Sequence, residues 1–146
     1  MAQVAGGEVF SKHDRQQVDA TIRAAEQLCR FEFSVYVGHV NGDPRSFATQ
    51  LHNSLVVPPK SILILVDPTE RVLEIVTGGK VRAAVDDTVV LRTVAVMQSA
   101  FADGDIVGGI NRGITQLAEA AKAGRAAAAG DPAKGAEPDL DSPDRL

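Results

Sequence analysis

Five consecutive apolar residues, Ile62-Leu63-Ile64-Leu65-Val66, run into Asp67-Pro68-Thr69-Glu70. A strand that is apolar at every position suits a place covered on both faces. Asp at the first position and Pro at the second mark a type I turn. Arg71 to Thr77 then reads as the return strand, ending in Thr77-Gly78-Gly79-Lys80. Such a strand needs cover on both faces, and the rest of the chain has to supply it.

The flanking segments carry helical periods. Ser11-Lys-His-Asp14 has the form of a capping box, with Asp14 in the acidic slot. Val18, Ile22, Ala25 and Leu28 follow on one face, predicting a helix over Lys12 to Arg30. Phe33, Val35 and Val37 alternate with Ser34, Tyr36 and Gly38, which reads as a strand with one wetter face. After the turn Asn41-Gly42-Asp43-Pro44, a helix from Arg45 to Leu55 places Phe47, Leu51 and Leu55 together, and Pro58-Pro59 stops it. Strand, helix and strand predict a right-handed parallel crossover.

The second half is helical. Val81 to Val85 forms a short turn of helix, and Asp86 or Asp87 caps a long helix carrying Val90, Val94, Met97 and Phe101. Leu91 and Val96 widen its apolar stripe, which predicts deep burial. Asp105 caps a last helix with Ile106, Ile110, Ile114, Leu117 and Ala121 inward. Gly108, Gly109 and Gly113 weaken that helix, and close packing against a neighbour is the expected compensation.

The reading is an α/β domain, a small mixed β-sheet flanked by helices on both faces in the order α-β-α-β-β-α-α. Residues 1–9 are expected to be loose and residues 10–124 to form the single domain. Residues 125–146, rich in Ala, Pro and Asp, form a disordered tail in which Arg125 to Ala129 extend the helix before it frays.

Totals narrow the function classes. A chain of 146 residues with a formal net charge of −4 lacks the basic footprint of a nucleic-acid binder. Aromatics are 4% and Trp is absent, so platforms for stacking bases are not expected. A single cysteine, Cys29, permits no disulfide within the chain and reads as a small buried hydrophobe. No apolar run approaches the roughly 20 residues of a membrane span, and the first residues lack the pattern of a signal peptide. The expectation is a cytoplasmic monomer without direct membrane insertion.

Three constellations invite chemistry. Gly78-Gly79-Lys80 is not a P-loop, because Glu74 and Val81 stand where Gly and Ser or Thr are needed. It reads first as a strand exit in which Gly supplies positive φ. Backbone N–H groups around Gly78 and Gly79, with Lys80, could instead cradle an anion. Asp86 and Asp87, joined by Asp67, are the candidate ligands for calcium or magnesium. Asp is also the commonest kind of N-cap and turn residue, and the capping reading takes precedence over the metal. His13, His39 and His52 form no metal pair, and His52 is placed on the solvent side of its helix. There is no G-x-S-x-G elbow for a serine hydrolase.

The element order, with SFATQLHNSL, SILILVDPTERVLEIVTGGKVRAAVDD and FADGDIVGGINRGITQLAEA, resembles the TPM domain family over about Glu8 to Gly124. That family is named for thylakoid phosphatase, photosystem II repair and receptor-accessory members. The chain also looks like an actinobacterial branch known as a domain of unknown function. The resemblance implies a sheet with helices on both faces and a site among Asp67, Arg71, Gly78, Asp86 and Asp87. Asp67 and Arg71 are then the candidate catalytic positions. It implies either an accessory module or a metal-dependent acid phosphatase. Where the family carries an acidic segment before the central strand, this chain has Pro58-Pro59-Lys60-Ser61, without a carboxylate. That departure tips the expectation to a non-enzymatic module that binds an unknown protein partner. The phosphatase is the alternative, and an anion- or nucleotide-binding regulator using Gly78 to Lys80 is a second one.

Overall fold

The computed structural model describes residues 2–4 and 10–130. A four-stranded sheet has the order β1-β2-β3-β4, with β1 Ala2–Val4, β2 Glu32–Val37, β3 Ser61–Asp67 and β4 Val72–Thr77. β1, β2 and β3 are parallel, and β4 is antiparallel to β3. Among the described residues there are five helices: α1 Lys12–Cys29, α2 Pro44–Asn53, α3 Gly79–Arg82, α4 Asp87–Ala102 and α5 Ile106–Gly130. A 3-10 turn, Pro58–Lys60, leads into β3.

β3 is the strand its composition demands, with all seven residues buried. Its alternating side chains divide the core. Ile62, Ile64 and Val66 join Phe33, Val35, Val37 and Ile75 beneath α1, α4 and α5. Leu63, Leu65 and Val76 face the other way, against Ala48, Phe47, Leu51 and Leu55 of α2 and the segment after it. The mixed α/β sheet with helices on both faces therefore follows from one apolar strand. α1 and α2 lie on opposite faces while β1, β2 and β3 advance across the sheet in one direction. The two parallel crossovers consequently have opposite hands, and only one of them takes the usual right-handed turn.

Caps set the helix boundaries. Ser11 and Asp14 form the full capping box of α1, at 3.1 and 3.0 Å, and Arg30 ends that helix at φ 67°. Asp43, Asp86 and Asp105 accept from the N–H groups of Ser46, Val89 and Gly108 at 2.9, 3.0 and 2.8 Å. Gly109 and Gly113 do carry close packing: a Cβ on either would overlap Phe101 or Met97 of α4.

Three of these expectations need correction. Residues 1–9 are not all loose, since Ala2–Val4 adds a parallel strand to the edge of β2. Backbone hydrogen bonding alone is enough to place so short a strand, and it leaves no side-chain period to read. Leu91 does not widen a buried stripe. It is 69% exposed, and Thr93, Met97 and Ala100 are the buried residues of α4. His52 is buried at 5% exposure, with Nε2 3.0 Å from the Ser61 carbonyl oxygen, so it ties the end of α2 to the start of β3. α5 continues through Arg125 to Gly130, in line with the expected extension of that helix, and the expected disorder of the remaining tail lies outside the described residues.

Candidate functional site

The hairpin register separates the predicted site residues. Ile62 pairs with Thr77 at one end and Asp67 with Val72 at the other. Five strand steps of about 3.3 Å put roughly 16 Å between those ends. Asp67 and Arg71 lie at the turn end, and Gly78, Gly79 and Lys80 at the opposite one. α4 runs between them: its first turn holds Asp87, and its last turn holds Phe101 and Ala102, which share a cleft with Asp67. Sixteen helical residues at about 1.5 Å each span roughly 24 Å. Asp86 and Asp87 are therefore remote from Asp67. Among the described residues no three His, Cys, Asp or Glu side chains are grouped to hold a metal.

Asp67 is 2% exposed, and backbone donors hold its carboxylate. Oδ2 accepts the Val40 N–H at 3.2 Å, and Oδ1 accepts the Glu70 N–H at 3.2 Å. His39 Nδ1 stands 3.9 Å from Oδ2. The Tyr36 hydroxyl donates to the His39 carbonyl oxygen at 2.7 Å. Burial, and then the nearby Asp67 charge, push the Tyr36 hydroxyl pKa up. Asp67 thus fastens the loop after β2 to the β3–β4 turn. Arg71 closes that turn at φ 56°, in the left-handed region, with its side chain exposed.

Beside this turn opens a cleft of about 460 Å³. Leu73, Phe101 and Ile106 give it an apolar floor, and Arg71 and Gln98 add polar groups. Asp67 borders it, and the Asp67 carboxylate is engaged by the N–H groups of Val40 and Glu70. The cleft lies at the carboxyl end of the central parallel strand, where open α/β sheets commonly bind ligands. The apolar residues come from three separate elements, and no local motif announced them.

At the opposite end, Gly78 is buried with φ −72°. The expectation of positive φ is corrected: Gly is needed because a Cβ would collide with the Pro58 and Pro59 carbonyl oxygens. The Gly78 N–H donates to Ser61 O at 2.9 Å, so it is not offered to a ligand. Gly79 and Lys80 are exposed. Cys29 is buried as expected, and desolvation raises its thiol pKa.

Among the described residues no helix is long and apolar enough to cross a membrane. The chain is 26% identical over 108 residues to the uncharacterized proteins MT2543 and Rv2468c of two Mycobacterium tuberculosis strains. The match covers 74% of this chain and 65% of theirs. The fold is similar to the NMR structure of BA42 from Bizionia argentinensis, with a TM-score of 0.74 and 19% identity over 82% of this chain and 86% of that one. It is also similar to the N-terminal domain of cg2496 from Corynebacterium glutamicum, with a TM-score of 0.69 and 16% identity over 82% and 78% of the two chains. Residues 2–118 match the family described as Domain of unknown function (DUF5130), and the chain belongs to that family.

Proposed function

We propose that this domain is a non-enzymatic accessory module of TPM-like type, which binds a partner protein in the cleft beside the β3–β4 turn. The observation that carries this reading is the cleft itself: an apolar floor of Leu73, Phe101 and Ile106 with an exposed arginine at its rim. Its size falls within the range of about 300–1,000 Å³ common for binding sites. Such a surface suits a short segment that inserts one apolar side chain and presents a carboxylate to Arg71.

The engaged carboxylate of Asp67 supports binding over catalysis. A metal-dependent phosphatase remains the alternative, with Asp67 and Arg71, both at the turn end of the hairpin, as its candidates. It would need Asp67 to leave two backbone donors before it could hold calcium or magnesium.

The test is selection of displayed peptides against the full chain, with Leu73→Asp as the counter-target. Enrichment of an apolar and acidic consensus that fails to bind the variant supports the module. Equal recovery on both proteins would refute the cleft. Aryl-phosphate turnover that is lost in Asp67→Asn would establish the phosphatase instead.

A further inference from the structure

A second concavity, of about 320 Å³, lies at the opposite end of the hairpin and owes nothing to the reading above. Phe31, Lys60, Lys80, Ala83, Ala84 and Arg125 are among its lining residues. Its three cations come from three separate elements: the 3-10 turn, α3 and α5.

Close backbone approaches bring those elements together. Gly78, just before α3, lies under the Pro58 and Pro59 carbonyls, which draws Lys80 toward Lys60. A Cβ on Gly124 would collide with the Ala84 carbonyl, so α5 rests on the turn after α3 and delivers Arg125 to the same place. The Arg125 guanidinium stacks 4.7 Å from the Phe31 ring centroid, which orients its planar fork. Its charge also reaches the Cys29 thiol, where it opposes the upward shift caused by burial.

Two acidic groups of the same region are engaged by backbone donors. Glu26 accepts the Phe33 N–H at 2.9 Å, and Asp86 accepts the Val89 N–H as the cap of α4. Glu32 opposes Ser61 across β2 and β3, and Asp87 lies in the first turn of α4. Among the described residues, no carboxylate pairs with Lys60, Lys80 or Arg125. Three cations are thus gathered around one concavity in a protein with net charge −4.

We propose that this concavity binds a small phosphate-bearing anion through Lys60, Lys80 and Arg125. Arg125 makes the bidentate contact, and the two lysines neutralise the remaining charge. The ligand class is a diphosphate or phosphomonoester small enough to sit between α3 and α5.

The probe is inorganic pyrophosphate, titrated into the full chain at constant ionic strength and followed by amide NMR. Saturable shifts centred on Lys80, Ala83, Ala84, Gly124 and Arg125 are expected. Lys80→Gln and Arg125→Gln should each weaken binding about tenfold. Lys60→Gln combined with Lys80→Gln provides a third variant, which leaves the Phe31 stack intact. Shifts that rise linearly, persist undiminished in all three variants, or centre on Arg71 would overturn the proposal.

Discussion

The buried Asp67 carboxylate accepts the backbone N–H of Val40 at 3.2 Å, twenty-seven residues away in sequence. With its second bond to Glu70, it joins the loop after β2 to the hairpin turn. Removing it orphans two donors, one of them buried. Asp67→Ala should cost about 2–4 kcal/mol, and Asp67→Asn less, because one carbonyl oxygen remains. Urea unfolding of the two variants measures the difference. Equal stability of Asp67→Ala and wild type would contradict a structural role.

Gly78 and Gly79 are neighbours with opposite requirements. A Cβ on Gly78 meets two backbone carbonyls, whereas the nearest atom to one on Gly79 is Arg82 Nη2 at 3.8 Å. Gly78→Ala should destabilise by upwards of ~3 kcal/mol. Gly79→Ala should be neutral or stabilising by up to about 1 kcal/mol. Thermal unfolding of the pair separates close approach from backbone freedom as the reason for the first glycine.

The hairpin shows how far sequence reasoning reaches. Ile62 to Val66 announced burial on both faces because no alternation of polar residues interrupts it, and the two-faced fold followed. Ser11 and Asp14, and the aspartates at 86 and 105, were legible as caps because capping depends on residues only three apart. The site was less legible. Asp67 and Arg71 stand at the turn, but Leu73, Phe101 and Ile106 meet only after α4 has crossed the molecule. His52 misled for the same reason: its partner is a carbonyl on β3, invisible to a helical period. The separation of Asp67 from Asp86 depends on strand register, which sequence proximity does not encode.

Packing of α4 on α5 gives a coupled prediction. A Cβ on Gly113 would overlap the Met97 side chain. Gly113→Ala should cost about 1–3 kcal/mol alone and Met97→Ala about 2–5. The double variant should be more stable than the sum of the two predicts, by roughly 1 kcal/mol or more, because the new methyl enters the vacated space. Strict additivity in a double-mutant cycle would place the two residues out of contact.

Asp43 gives the acid limb a defined sign. Its bond from the Ser46 N–H holds the carboxyl pKa below the ordinary value of 3.8. The capping contribution is therefore full above the unfolded-chain value and is lost as pH falls through the folded one. Asp43→Ala should lower stability at pH 7 and show a shallower loss between pH 5 and pH 3 than wild type. Parallel acid profiles would contradict this.

The most direct test of the binding cleft is an amide NMR titration of the full chain with a selected apolar and acidic peptide in excess EDTA. The account predicts saturable shifts at Arg71, Leu73, Gln98, Phe101 and Ile106 without any divalent metal. Shifts that appear only when calcium or magnesium is restored, centred on Asp67, would contradict it and reinstate a metal-dependent site.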